Sequence, residues 1–236
     1  MIHYPREGGS IIQSGCTKVQ NYMMQVYGWM TCGLLLTAFV AWYIANNSTL
    51  LFIIHSNKYN VWGLMIIQLG IVSIVSNMTD KISGILATGL FMLYSILTGI
   101  TLSSIFIFYT YSSIANSFIV TSGMFGSMSL WSYSTKRDLS GTSSILLMVL
   151  VGFLLASIVN LWLKSTQLMW LITYVGVLIF TILTACHTQH LKKLGEQIDE
   201  SDQENLRRYA IRGALTLYLD FINLFLMLLR ILSNRR

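Results

Sequence analysis

Gly213-Ala-Leu-Thr-Leu-Tyr-Leu-Asp-Phe-Ile-Asn-Leu-Phe-Leu-Met-Leu-Leu-Arg230 is long and apolar enough to cross a bilayer as a helix, and it carries a full acid, Asp220, near its middle. Asn223 follows three residues later, so the two polar side chains share a helix face. A carboxylate among Leu, Phe and Ile is costly in lipid. It is expected to face the protein interior and to find a partner there. Two readings stand: a structural hydrogen bond that fixes helix packing, or a functional acid.

Composition places the rest of the chain in the same environment. Of 236 residues, 54% are hydrophobic and 10% are charged, against about 25% charged in soluble domains. The chain reads as an integral membrane protein whose partner is the lipid bilayer. Its net charge of +6 is scattered over the ends of apolar segments, so no nucleic-acid surface is read from it. Cys16, Cys32 and Cys186 are widely spaced and suggest neither a disulfide framework nor a zinc site.

Working outward, the pattern predicts an all-α membrane protein with seven transmembrane helices. Residues 1–19 read as a flexible N-terminal tail, and no cleavable signal is expected ahead of the first span. Residues 20–236 read as one seven-helix domain, with spans at about 22–44, 61–78, 82–108, 114–134, 144–163, 168–190 and 213–232. From Ile82 to Thr135 there is no Asp, Glu, Lys or Arg, a run too long for one helix, and the polar knot at Tyr109-Thr-Tyr-Ser-Ser113 divides it. Glycines and serines along both halves, such as Gly84, Gly99, Ser117 and Gly126, read as close-packing positions between helices.

Lysine and arginine set the expected orientation. With the N-terminus cytoplasmic, ten of them fall inside and five outside. Seven spans then put the C-terminus outside, whereas Arg230, Arg235 and Arg236 favour the cytoplasm.

No nucleophile constellation, HExxH, phosphate-binding glycine loop or GxGxxG is present, so no enzymatic activity and no resident cofactor are expected. Thr184, His187 and His190 recur at three-residue spacing on one helix face. Two histidines without a third ligand do not make a metal site. His187 and Asp220 fall at comparable depth on antiparallel neighbours, which predicts contact. As an ion pair each would sustain the other's charge, while burial opposes both. The alternative is a neutral His187 bonded to a backbone carbonyl.

Four stretches carry a resemblance: Gly99-Ile-Thr-Leu-Ser-Ser-Ile-Phe106, Thr135-Lys-Arg-Asp-Leu-Ser140, Ala156-Ser-Ile-Val-Asn160 and Ala214-Leu-Thr-Leu-Tyr-Leu-Asp-Phe-Ile-Asn-Leu-Phe225. The chain resembles the transmembrane Bax inhibitor motif (Bax inhibitor-1) family from about residue 20 onward. Val26 to Thr31 is similar to a stretch in the inner-membrane members of enterobacteria. The resemblance implies seven helices with the last one central and six around it, in the bacterial inner membrane. It also implies a pH-sensitive Ca²⁺ leak for some members, with transient Ca²⁺ or another cation as the ion carried. For a bacterial relative it implies restraint of a membrane-bound AAA protease instead.

In the family's leak mechanism two aspartates on the sixth and seventh helices share a proton at the gate. Asp220 matches the second, and His187 stands in place of the first. Gln68 takes the place of a second-helix Glu, and Thr79 lies where some members carry a latching Arg. The resemblance thus points to Asp220, His187 and Asn223 as ion pathway or pH sensor, with Gln68, Thr79 and Thr184 as supporting polar groups. The competing expectation is a non-conducting protein that modulates a membrane protease or a stress response.

Overall fold

Short polar side chains start the helices. Ser83, Thr110, Ser165 and Asp202 each accept a hydrogen bond from the backbone N–H three residues on, satisfying one of the donors a helix N-terminus leaves unpaired. In the computed structural model, residues 8–56, 58–77, 82–135, 137–198 and 202–233 are described. They form α1 (Gly8–Asn46), α2 (Ser48–His55), α3 (Lys58–Asn77), α4 (Gly84–Leu102), α5 (Ile105–Phe108), α6 (Tyr111–Ser134), α7 (Ser140–Leu163), α8 (Thr166–Gln197) and α9 (Gln203–Leu232). Helix α1 thus begins inside the segment 1–19, of which residues 1–7 lie outside the described part.

Between α7 and α8 the chain reverses in two residues. Lys164 adopts the left-handed conformation (φ 49°), its N–H bonds to the Asn160 carbonyl, and the Asn160 side chain accepts from the Ser165 N–H.

Helix α9 is the most buried element. It packs on α1, α4, α6 and α8 and touches α3 only lightly. Its buried residues include Ile211, Leu215, Leu217, Tyr218, Phe221, Leu224 and Leu229. Close approach between α1 and α4 depends on Gly99, where a Cβ would lie 2.7 Å from the Thr37 carbonyl oxygen and 2.9 Å from Val40 Cβ. Tyr218 seals the centre: its hydroxyl meets Thr37 Oγ1 at 2.7 Å, and the rings of Phe91 and Tyr94 meet it edge-on, each at 5.8 Å. Helix α7 lies against α8, with Met148, Leu155 and Trp162 on its open side.

The expectation of seven spanning helices with the last one ringed by six is overturned. Among the described residues five helices are long and apolar enough to cross a membrane by length and composition: Lys18–Asn46, Gly84–Phe108, Ile145–Leu163, Thr166–Gln197 and Gln203–Leu232. The segment expected at 61–78 is a shorter apolar helix, Trp62–Asn77. The one expected at 114–134 falls within α6, where Asn116, Ser117, Ser122, Ser127, Ser129 and Ser132 dilute the apolar run. Nor is α9 encircled, because α7 is stacked outside α8 rather than on α9. The chain is an all-α, multi-pass membrane protein with about five long apolar helices.

Candidate functional site

Helices α8 and α9 run antiparallel and pack along their length, which brings residues far apart in sequence to one level. Both overrun their expected ends, α8 continuing past His190 to Gln197 and α9 starting ten residues before Gly213, at Gln203. Where they face each other, His187 Nδ1 and Asp220 Oδ2 are 2.6 Å apart. The Asp220 side chain is 5% exposed and that of His187 30%. The expected contact is therefore present, and the backbone-carbonyl alternative for His187 is not what the structure holds.

A pair of this kind can hold a proton between its two side chains. With Asp220 ionised, the imidazole N–H donates to the carboxylate; with Asp220 protonated, the carboxyl O–H donates to a bare Nδ1. Either way one proton is held between the two side chains. A second proton on the imidazole gives an ion pair that is neutral overall, whereas two facing carboxylates resist ionising together. One side of His187 opens onto a cavity of about 250 Å³ lined also by His190, Tyr209, Arg212 and Thr216. Leu191, Leu194 and Gly213 complete its wall.

The other residues expected at the site are dispersed. Thr184 is fully buried, but its hydroxyl donates to the Phe180 carbonyl of its own helix, not to Asp220. Asn223 is half-buried, and its side chain makes no hydrogen bond among the described residues. Gln68 works elsewhere: its amide donates to the Leu97 carbonyl (3.1 Å) and to Thr101 Oγ1 (2.8 Å), tying α3 to α4. Thr79 lies outside the described residues. His190 is exposed at the cavity rim, two turns before the end of α8. No group of three or more His, Cys, Asp or Glu that could hold a metal occurs among the described residues.

Sequence reasoning missed the polar clamps around the pair. Gln189 accepts from the Leu139 N–H (2.7 Å) and donates to the Arg137 carbonyl (2.6 Å), fastening the connection between α6 and α7 to α8. The Thr188 hydroxyl lies between Tyr27 (3.4 Å) and Ser129 (3.5 Å). The signal was the run Cys186-His-Thr-Gln189, where consecutive polar residues in an apolar helix point to several neighbours at once.

Fold and site together define a multi-pass helical membrane protein with a buried imidazole–carboxylate pair between its last two helices. Residues 19–236 match the family described as inhibitor of apoptosis-promoting Bax1. The chain is 60% identical over 236 residues to the inner membrane protein YbhL of Escherichia coli (strain K12), covering 100% of both chains. It is 45% identical over 216 residues to an uncharacterized protein of Borreliella burgdorferi, covering 92% of this chain and 93% of the relative. It is 37% identical over 223 residues to one of Deinococcus radiodurans, covering 94% of each. This chain belongs to the Bax inhibitor-1 family, as a multi-pass protein of the bacterial inner membrane.

Proposed function

We propose that the protein is a proton-responsive cation leak of the inner membrane, gated at the His187–Asp220 pair, with Ca²⁺ as the ion carried. The observation that supports this is the 2.6 Å contact of a buried carboxylate with an imidazole beside a cavity. An acid that is 5% exposed inside an apolar helix bundle is costly to keep, and such acids mark ion and proton paths. Adding or removing one proton changes whether the pair holds α8 and α9 together, and that is the gating event. We place the N-terminus in the cytoplasm, because Arg137, Lys192, Lys193, Arg207, Arg208 and Arg212, near the α6–α7 and α8–α9 connections, then fall on the inner side.

A second reading has its own support. Hard cations want several oxygen ligands, preferably carboxylates, and the cavity beside Asp220 is lined by no carboxylate but by His190 and the cationic Arg212, with only the hydroxyls of Tyr209 and Thr216 as side-chain oxygens. On this reading the protein does not conduct, and it modulates a membrane-bound AAA protease. Ca²⁺ entry into liposomes containing the purified chain separates the two. A leak gives flux with no other protein present. A modulator gives none, and brings a protease through purification from the native membrane.

A further inference from the structure

We propose that the groove between α1 and α6 is a binding site for one anionic phospholipid, with an acyl chain in the groove and the phosphate at Lys192. The proposal stands apart from the His187–Asp220 pair and does not depend on ion conduction. Helix α1 packs on α4, α8 and α9, and α6 packs on α8 and α9, but the two leave a channel between them. One stretch of it, about 700 Å³, runs between Gln20 and Met24 on α1 and Leu130 and Tyr133 on α6. The next, about 320 Å³, continues between Leu34 and Ala38 and Phe118 and Phe125, with Phe221 of α9 also lining it. Both are lined by Tyr27, Gly126 and Ser129, so they form one continuous groove. From Gln20 to Ala38 the α-helical rise gives a length of about 27 Å, close to the ~30 Å hydrocarbon core.

The two ends of the groove differ in chemistry. Toward Phe118 the walls are almost wholly apolar, as an acyl chain requires. Toward Tyr133 there is a cation: Lys192 Nζ donates to the Tyr133 carbonyl at 2.7 Å and sits 4.6 Å from the centre of its ring. An ammonium has three donors, and among the described residues no carboxylate pairs with Lys192. In between, the hydroxyls of Tyr27, Thr188 and Ser129 form a short polar step inside the apolar wall. A phospholipid presents the same order: phosphate, ester oxygens, hydrocarbon. A transmembrane helix would bring no charge for Lys192. A second copy related by a two-fold axis would bring Lys192 near its own counterpart.

Gly126 offers a direct test, because a side chain there meets nothing within 4 Å and would grow into the groove. The full chain, purified in a mild detergent, is offered phosphatidylglycerol or phosphatidylethanolamine at equal concentration and weighed by native mass spectrometry. The expected result is one retained lipid per chain with preference for phosphatidylglycerol. Lys192→Gln lowers that preference about fivefold, and Gly126→Phe removes the bound lipid while thermal unfolding in detergent is unchanged. Should Gly126→Phe fail to fold, Lys192→Gln and Lys192→Glu decide the matter alone. Equal retention of the two lipids, an unchanged preference in Lys192→Gln, or a dimer that Gly126→Phe dissociates would each overturn the assignment.

Discussion

Across the α8–α9 interface, and 33 residues apart in the chain, His187 Nδ1 and Asp220 Oδ2 approach to 2.6 Å. The carboxylate comes from the most buried helix, and the imidazole comes from a helix edge that reaches a cavity. On the proposed reading, proton exchange with water runs through His187, and Asp220 responds to it through the hydrogen bond.

Placing an acid at position 187 tests what the imidazole contributes. In His187→Asp two carboxyl groups face each other and cannot comfortably both ionise. Ca²⁺ flux is expected to rise above wild type, because a second set of carboxylate oxygens replaces a nitrogen base. The rise is read in the same liposome assay at matched protein density.

Gly99→Ala is expected to loosen the bundle. Its Cβ would meet the Thr37 carbonyl oxygen at 2.7 Å, backbone that cannot swing aside. Overpacking of this kind costs about 1–3 kcal/mol. Gly89→Ala lies in the same helix with nothing within 4 Å, and should be neutral or stabilising by up to ~1 kcal/mol. Thermal unfolding of the two variants in one detergent compares them. Equal midpoints would contradict the packing described.

Tyr218 separates ring from hydroxyl. Tyr218→Phe removes the hydrogen bond to Thr37, but the Thr37 hydroxyl still has the Gly33 and Ser95 carbonyls as acceptors, each at 2.9 Å. The expected cost is about 1 kcal/mol. Tyr218→Ala also removes the ring that Phe91 and Tyr94 pack on, and should cost about 3–5 kcal/mol. Chemical denaturation of the purified variants reads the difference.

Gln189→Leu keeps the volume and deletes both bonds to the α6–α7 connection. The Leu139 N–H then loses the acceptor it has at 2.7 Å. Hydrogen exchange should speed up at Leu139 and its neighbours, with the centre of α9 unaffected. Uniform acceleration through the bundle would mean that Gln189 supports more than this connection.

Much of this was legible in the chain, for identifiable reasons. Asp220 stood out because one acid in an 18-residue apolar run has to be accommodated. Its partner was legible because a histidine facing it on the preceding helix is the nearest polar group that can accept or supply a proton. The number of long apolar helices was not. The absence of charge from Ile82 to Thr135 reads as membrane throughout, yet α6 within it is serine-rich and less apolar than its neighbours. Serines that bond back to their own helix, or to a neighbour as Ser132 does to the Ala185 carbonyl, hide their polarity inside the bundle, and a hydrophobic count cannot see that. Gln68 and Thr184 make a related point, since their hydrogen bonds run to α4 and to the Phe180 carbonyl of α8 rather than to Asp220. Polarity in an apolar stretch marks a hydrogen bond, but not whether it lies in the same helix, the next one or a functional site.

The central claim is that the His187–Asp220 pair is a proton-operated gate. Its most direct test is Ca²⁺ flux into liposomes from pH 5 to 8 by wild type and Asp220→Asn, a substitution that keeps the shape of the side chain and removes the titrating carboxyl. The account predicts a flux that changes with pH in the wild type and a flat profile in Asp220→Asn. Identical pH profiles for the two proteins, or no flux from the wild type at any pH, would contradict it.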